Sequence, residues 1–129
     1  MGGSTVPGTP SAPHRAGISC AQARRLARDL LDGLDTTPEQ TADVLTVVTE
    51  LASNAQRHAG GVTGFTLTHR AGVVRVEVSD ASPHPPEARP WAPAEPGGFG
   101  WLLVNRLADT QVRHTAGGKT VIAEMPVGP

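Results

Sequence analysis

The sequence predicts an α+β fold, a two-layer α/β sandwich in which a mixed, mostly antiparallel sheet carries its helices on one face. The predicted elements follow one another as helix, helix, strand, strand, loop, helix, strand, strand. This order does not give the alternating strand and helix units of a parallel sheet. Both pairs of strands are joined by short glycine-containing links, which favour antiparallel hairpins.

Glycine and proline are concentrated in a few segments and therefore mark the domain limits. The 129 residues include 15 glycines and 12 prolines, and two thirds of these lie near the ends or in residues 83–98. We expect a disordered tail over residues 1–17, one domain over residues 18–126, and a short tail over residues 127–129. The six prolines of residues 83–98 exclude a helix or an internal strand there, so this segment is predicted to be a loop.

Charge and cysteine content exclude several classes of function. A formal net charge of −1 gives no electrostatic footprint for a nucleic-acid backbone, so we expect no direct nucleic-acid partner. Cys20 is the single cysteine, so no intrachain disulfide forms and the expected compartment is the reducing cytoplasm. No window approaches about 18 consecutive apolar residues and no secretory signal is present, so we expect a soluble protein without a membrane partner.

Two helices are predicted first. Apolar residues recur at three- and four-residue steps through residues 19–34, with Ser19 as a plausible N-cap. A stronger helix start follows at Thr37, because threonine caps a helix and Gln40 can close a capping box. The pattern predicts that this second helix runs to about His58, before a pair of glycines.

The remaining elements form two hairpins around the loop. Val62–Arg70 and Val73–Asp80 are predicted strands, and the second of them alternates cleanly between valine and polar residues. Residues 100–108 have the apolar spacing of a short helix. Residues 111–114 and 120–125 are then predicted to form the second strand pair.

The long helix carries three polar residues at four-residue spacing. Glu50, Asn54 and His58 stack along one face, away from the apolar arc. A solvated polar stripe is the ordinary interpretation of such a pattern. The residue types also suit nucleotide chemistry, because a carboxylate can act as a base, an amide oxygen can bind Mg²⁺, and an imidazole can donate to phosphate.

Four segments resemble the motifs of one family. Residues 50–59 (ELASNAQRHA) look like the N-box of the GHKL ATPase superfamily, in the form found in bacterial anti-sigma-factor serine/threonine kinases. Residues 76–82 (VEVSDAS) resemble its G1 box, residues 98–109 (GFGWLLVNRLAD) its G2 box, and residues 117–126 (GGKTVIAEMP) its terminal strand. The motifs occur in the family's order, so the resemblance implies a Bergerat ATP-binding fold over about residues 20–126.

The resemblance implies a role for each site residue. Glu50 would be the general base, and Asn54 would ligate the Mg²⁺ that bridges the phosphates. Asp80 would accept a hydrogen bond from the exocyclic amine of adenine and disfavour guanine, with Thr120 completing the adenine contact directly or through a water. Residues 83–98 would form the lid over ATP. The implied nucleotide-binding residues are Asn54, His58, Asp80, Ser82, Gly98, Gly100, Trp101, Leu102 and Thr120.

Each of these assignments also has a purely structural alternative. Asp80 suits a turn at a strand end, Thr120 suits a β-strand, and His58 suits the C-terminus of a helix through its dipole. Gly98 and Gly100 can begin a helix without a ligand, or they can let backbone N–H groups approach phosphates.

The sequence also departs from the family pattern at several positions. Ser82 and His84 stand where glycines are usual, and Trp101 stands where a leucine is usual. The bulk of this tryptophan would narrow the phosphate turn or belong to a partner surface. Residues 118–120 (GKT) look like the end of a Walker A loop, but Arg113 holds the earlier glycine position and a strand follows, so we expect no P-loop.

The resemblance implies an ATP-binding anti-sigma regulator that uses ATP and Mg²⁺. Its partners would be a sigma factor and a small anti-anti-sigma (STAS-type) protein, on which it would phosphorylate a serine or threonine. Family members often dimerise through the sheet edge, so a homodimer is a further expectation. The alternative is a non-catalytic nucleotide-binding or interaction module of the same fold. The ATP-binding half of a histidine kinase is disfavoured, because no dimerisation helix pair with a phosphoacceptor histidine precedes residue 20.

Overall fold

The computed structural model of the chain describes residues 16–86 and 100–128. In these residues three helices accompany one four-stranded sheet, which is the α+β fold that the sequence predicts. The helices are α1 (Cys20–Asp32), α2 (Pro38–His58) and α3 (Gly100–Leu107). The strands are β1 (Val62–Arg70), β2 (Val73–Asp80), β3 (Asp109–Thr115) and β4 (Gly118–Pro126).

Both long helices begin with a capping box. In the predicted box, Thr37 Oγ1 accepts from the N–H of Gln40 at 3.1 Å, and Gln40 Oε1 accepts from the N–H of Thr37 at 3.0 Å. Ser19 and Gln22 form the same reciprocal pair at the start of α1, at 3.1 and 2.8 Å. These bonds satisfy backbone donors that have no partner inside the helix, and they fix where each helix begins.

The sheet is antiparallel between all neighbouring strands, in the order β1-β2-β4-β3. β2 and β4 are therefore central. Their register pairs Asp80 with Lys119 and Ser79 with Thr120. Because successive side chains point to opposite faces, Asp80 and Lys119 share one face of the sheet, and Ser79 and Thr120 share the other.

The helices pack on one face of the sheet, as predicted. The alternating valines of β2, Val74, Val76 and Val78, are at most 1% exposed. They meet an apolar face of α2 that includes Val48 and Leu51. Burial of side chains of this size contributes about 1.5–3 kcal/mol each, so the contact between α2 and β2 accounts for much of the core and holds α2 in a fixed position.

The ends of the domain are anchored more closely than the composition suggests. Gly17, placed in the N-terminal tail by the sequence analysis, donates its N–H to the carbonyl of Val62 at 2.7 Å. Val127, placed in the C-terminal tail, donates to the carbonyl of Gly72 at 2.8 Å and packs against the core. Residues 1–15 and 129, the rest of the expected tails, lie outside the described residues, as do residues 87–99.

β3 and β4 are each longer than the sequence predicts. β3 begins at Asp109 and β4 at Gly118, because Asp109 pairs with Glu124 and Gly118 pairs with Thr115. None of the helices within residues 16–86 and 100–128 combines the length and hydropathy that a membrane crossing requires.

Candidate functional site

A cleft of about 270 Å³ lies between α2 and the sheet, at the end where β2 finishes and β4 begins. Leu51 and Ala55 of α2 and Val78 and Val121 of the sheet give it apolar walls. The other lining residues are Asn54, His58, Ala59, Asp80, Ser82, His84, Pro85, Pro86 and Lys119. An apolar slot with polar groups gathered in it suits a flat, partly polar ring system.

Asp80 ends β2 inside this cleft and is only 6% exposed. Its Oδ1 accepts the backbone N–H of Ser82 at 2.9 Å and the ammonium of Lys119 at 3.0 Å. Both donors converge on Oδ1, so in the described part of the chain Oδ2 receives no hydrogen bond. The carboxylate is therefore held in one orientation by the protein and keeps an acceptor for a ligand.

Lys119 is the functional candidate that sequence reasoning missed. Its side chain is 7% exposed, and Nζ lies 3.0 Å from Asp80 Oδ1 and 3.5 Å from the carbonyl oxygen of Ser82. A lysine is almost never buried unless it is paired, and removing one member of a buried pair costs about 3–5 kcal/mol. The strand parity of β4 could have found it, because Lys119 is two residues from the apolar Val121 and shares its face.

The structure does not bring Thr120 into the cleft. Its hydroxyl lies 2.7 Å from that of Ser79, on the face of the sheet opposite to Asp80. A shift of one residue along a strand changes the face to which a side chain points. The residue that stands beside Asp80 on the cleft face is therefore Lys119. The hydroxyl of Thr120 lies on the opposite face, and the adenine contact expected of it stays a prediction.

The polar stripe of α2 leads from the cleft to the start of α3. Asn54 and His58 both line the cleft, the first half-buried and the second exposed at its rim. Glu50, one turn earlier, is half-buried, and its carboxylate lies against Gly100, the first residue of α3. Helix N-termini attract anions through the dipole and unpaired N–H groups, so the phosphate groups of a nucleotide are expected near this end.

The other predicted residues differ in their surroundings. Ser82 lines the cleft, and its Oγ accepts the N–H of His84 at 3.2 Å. Trp101 is half-buried and packs against the core, whereas Leu102 is 44% exposed. Gly98 lies outside the described residues.

Part of the predicted lid forms a wall of the cleft. His84, Pro85 and Pro86 line it directly after the end of β2. Each proline fixes its own φ and restricts the preceding residue, so this wall is stiff although it has few hydrogen bonds. Residues 87–98 of the expected lid lie outside the described residues.

Asn54, the predicted Mg²⁺ ligand, presents its side-chain amide at the cleft. Among the described residues, no group of three or more His, Cys, Asp or Glu side chains is arranged to hold a metal ion. Mg²⁺ usually keeps several waters and binds through few protein oxygens together with substrate phosphates. A single amide oxygen beside the cleft therefore suits an ion that arrives with a nucleotide, and would not hold one alone.

The fold and the cleft define an α+β domain with an apolar cleft, polar at one end, between one long helix and an antiparallel sheet. The histidine kinase-like ATPase domain family matches residues 13–125, and the chain belongs to this GHKL-type family. Membership implies ATP binding. A comparison with curated proteins gives no match.

Proposed function

We propose that the chain is an anti-sigma regulator that phosphorylates a serine or threonine of a small STAS-type antagonist protein and sequesters a sigma factor. The observation that best supports a catalytic role is the stripe on α2. Asn54 lines the cleft, and Glu50 stands one turn away against the first residue of α3. A carboxylate at this place is suited to act on a hydroxyl group close to the terminal phosphate of ATP.

The base of ATP fits the deep part of the cleft. Leu51, Ala55, Val78 and Val121 offer apolar surface to the two faces of the ring. Oδ2 of Asp80, which receives no hydrogen bond from the described residues, can accept one from the exocyclic amine of adenine. Binding the base here directs the phosphates toward Asn54 and the start of α3.

Phosphoryl transfer depends mainly on positioning and on neutralising charge. The N-terminus of α3 offers the positive end of a helix dipole to the phosphates. Asn54 would hold the Mg²⁺ ion, which supplies positive charge against the phosphate oxygens when bound. His58, exposed at the rim, can donate a hydrogen bond to a ligand oxygen.

Glu50 acts as the general base in this proposal. It accepts the proton of the serine or threonine hydroxyl while that oxygen bonds to the terminal phosphorus. The bond between this phosphorus and the bridging oxygen breaks at the same time, and ADP leaves. Glu50 lies inside α2, and its carboxylate already lies against the first residue of α3.

Isosteric substitution tests the role of Glu50. Glu50→Gln should leave Mg-ATP affinity nearly unchanged and lower the rate of transfer to the antagonist by about 10²–10⁴-fold. Asn54→Ala should weaken both nucleotide binding and transfer. Glu39→Gln, an exposed change in the first turn of the same helix, is the matched control and should alter neither. An unchanged transfer rate in Glu50→Gln would overturn its assignment as the base.

Affinity capture from the native host, with and without Mg-ATP, tests the partners. We expect the chain to capture a sigma factor and a STAS-type protein, in amounts that depend on Mg-ATP. We also expect the captured STAS-type protein to carry acid-stable phosphoserine or phosphothreonine. A calorimetric titration with Mg-ATP can decide against the proposal. A chain that binds no nucleotide at millimolar Mg-ATP is not a kinase, and the non-catalytic interaction module would then replace this proposal.

A further inference from the structure

Lys119 brings an uncommitted hydrogen-bond donor into the cleft. An ammonium group has three N–H donors. The 3.0 Å bond to Asp80 Oδ1 and the 3.5 Å contact with the carbonyl of Ser82 account for two of them. In residues 16–86 and 100–128 the third donor has no acceptor, and the side chain lines the cleft. Lys119 can therefore donate to a ligand while it remains paired with Asp80.

The ion pair of Asp80 with Lys119 changes which purine bases the end of the cleft can recognise. A carboxylate alone accepts a hydrogen bond from a 6-amino purine and repels the carbonyl oxygen of a 6-oxo purine, because both groups are acceptors. The ammonium of Lys119 offsets the negative charge of Asp80 and offers a donor to that carbonyl oxygen. The 6-oxo group then meets a complementary partner.

Few of the other described lining residues can distinguish one purine base from another. Leu51, Ala55, Val78 and Val121 contribute apolar surface, which does not tell one purine from another. The polar lining residues are Asn54 and His58 on α2, assigned above to Mg²⁺ and to a ligand oxygen, and Asp80, Ser82, His84 and Lys119 around the end of β2. The discrimination between purines consequently depends on this second group, whose charged pair is Asp80 with Lys119.

We propose that Lys119 is a base-specificity residue, and that with Asp80 it admits nucleoside triphosphates of 6-oxo purines as well as ATP. This inference rests on the proposed nucleotide binding and extends it by naming the ligand class. It also replaces the expectation, drawn from Asp80 alone, that guanine is disfavoured.

Calorimetric titration of the full chain with Mg-ATP, Mg-GTP and Mg-ITP tests the proposal. The wild-type chain should bind the three nucleotides with affinities within about tenfold of one another. Lys119→Met removes the donor at similar length and should weaken Mg-GTP and Mg-ITP by about 10- to 100-fold relative to Mg-ATP. Mg-ITP lacks the 2-amino group of Mg-GTP, so a shared loss assigns the effect to the 6-oxo group.

Two further variants control for charge and folding. Arg113→Met removes one positive charge from an exposed residue that pairs with Thr120, outside the cleft, and should leave the affinity ratio unchanged. Lys119→Arg retains a charged donor and should keep the ratio of affinities within about tenfold of that of the wild-type chain. If Lys119→Met does not fold, the wild-type ratio and Lys119→Arg decide the matter.

Three results would overturn the inference. A wild-type preference for Mg-ATP over both 6-oxo nucleotides by more than about 100-fold would show that the pair does not admit them. An equal loss of all three affinities in Lys119→Met would show a structural role alone. Failure of every nucleotide to bind would remove the proposed function as well, whereas binding of Mg-ATP alone leaves that function intact.

Discussion

The carboxylate of Glu50 occupies the space in which a side chain at Gly100 would begin. The glycine at the start of α3 is therefore required for room, since it leaves a place for a carboxylate that comes from another helix. The contact links α2, which carries the candidate base, to the helix terminus that is expected to receive phosphates.

Gly100→Ala should lower the rate of phosphoryl transfer without lowering the stability of the protein. The added methyl group meets the end of a flexible side chain, so the protein can relieve the overlap by moving the Glu50 carboxylate. Misplacing a catalytic group by about 1 Å costs up to about 100-fold in rate. Gly100 is the first residue of α3, where the preference of helix interiors for alanine does not apply. We expect transfer to fall at least about tenfold with the melting temperature nearly unchanged.

Gly117→Ala is the control for this substitution. A methyl group at Gly117 meets no atom within 4 Å, in a turn far along the chain from α3. It should change neither the transfer rate nor the melting temperature. A Gly100→Ala variant that retains full transfer activity contradicts the importance of the Glu50 position.

Gly118→Ala should unfold much of the site. Gly118 has a φ of +159°, and a Cβ there would overlap the carbonyl oxygen of Asp80 and lie 2.8 Å from the Cα of Ala81. Both neighbours are backbone atoms that cannot move aside cheaply. The expected loss is about 3 kcal/mol in the free energy of unfolding, measured by urea denaturation. A loss no larger than that of Gly117→Ala would contradict the close approach of the two strands.

Thr120→Val tests which face of β4 belongs to the cleft. The substitution conserves shape and removes the 2.7 Å hydroxyl contact with Ser79. We expect about 1 kcal/mol lower stability and a Mg-ATP affinity within about twofold of wild type. In a double-mutant cycle with Ser79→Ala, most of the stability loss should be shared. A tenfold loss of affinity in Thr120→Val would instead place its hydroxyl in the site.

Gln40 should stabilise the fold through two connections at once. Besides its bond to Thr37, its amide accepts from the N–H of Gly128 and donates to the carbonyl of Gly128, each at 3.0 Å. Within the part of the chain that the structure describes, the side chain of Gln22 makes only the capping bond at the start of α1. At about 0.5–1.5 kcal/mol for each hydrogen bond, Gln40→Ala should lower the unfolding free energy by more than twice as much as Gln22→Ala. Equal losses in chemical denaturation would show that the connection to Gly128 contributes nothing.

The elements of the fold were predictable where the signals are local. The capping box at Thr37 and the alternating valines of β2 depend on residues that lie within a few positions of one another. The sequence places the start of β3 two residues too far along the chain. Asp109 and Thr110 are polar and form a strand only because they pair with Glu124 and Ala123. Such pairing is non-local, so no short window of sequence contains it.

The site was predicted less completely, for a related reason. The four-residue spacing singled out Glu50 and Asn54, and the resemblance to the N-box and the G1 box gave them and Asp80 their expected roles. Asn54 and Asp80 line the cleft. Lys119 was overlooked because a charged residue normally marks a surface. Only the register of β2 with β4 reveals that Asp80, 39 residues earlier in the chain, neutralises it. Thr120 is the next residue along β4, so its side chain lies on the opposite face of the sheet, outside the cleft.

Lys119 is also the only lysine in the sequence. With 7% of its side chain exposed, it reacts with acylating reagents only when the cleft opens far enough to admit them. In a digest, the mass shift of the peptide that contains Lys119 would consequently report opening of the cleft, since surface lysines are absent from the sequence and the acylated N-terminal amine falls in another peptide. Acylation of Lys119 can therefore be used as a footprinting measurement, and a ligand bound in the cleft would slow it.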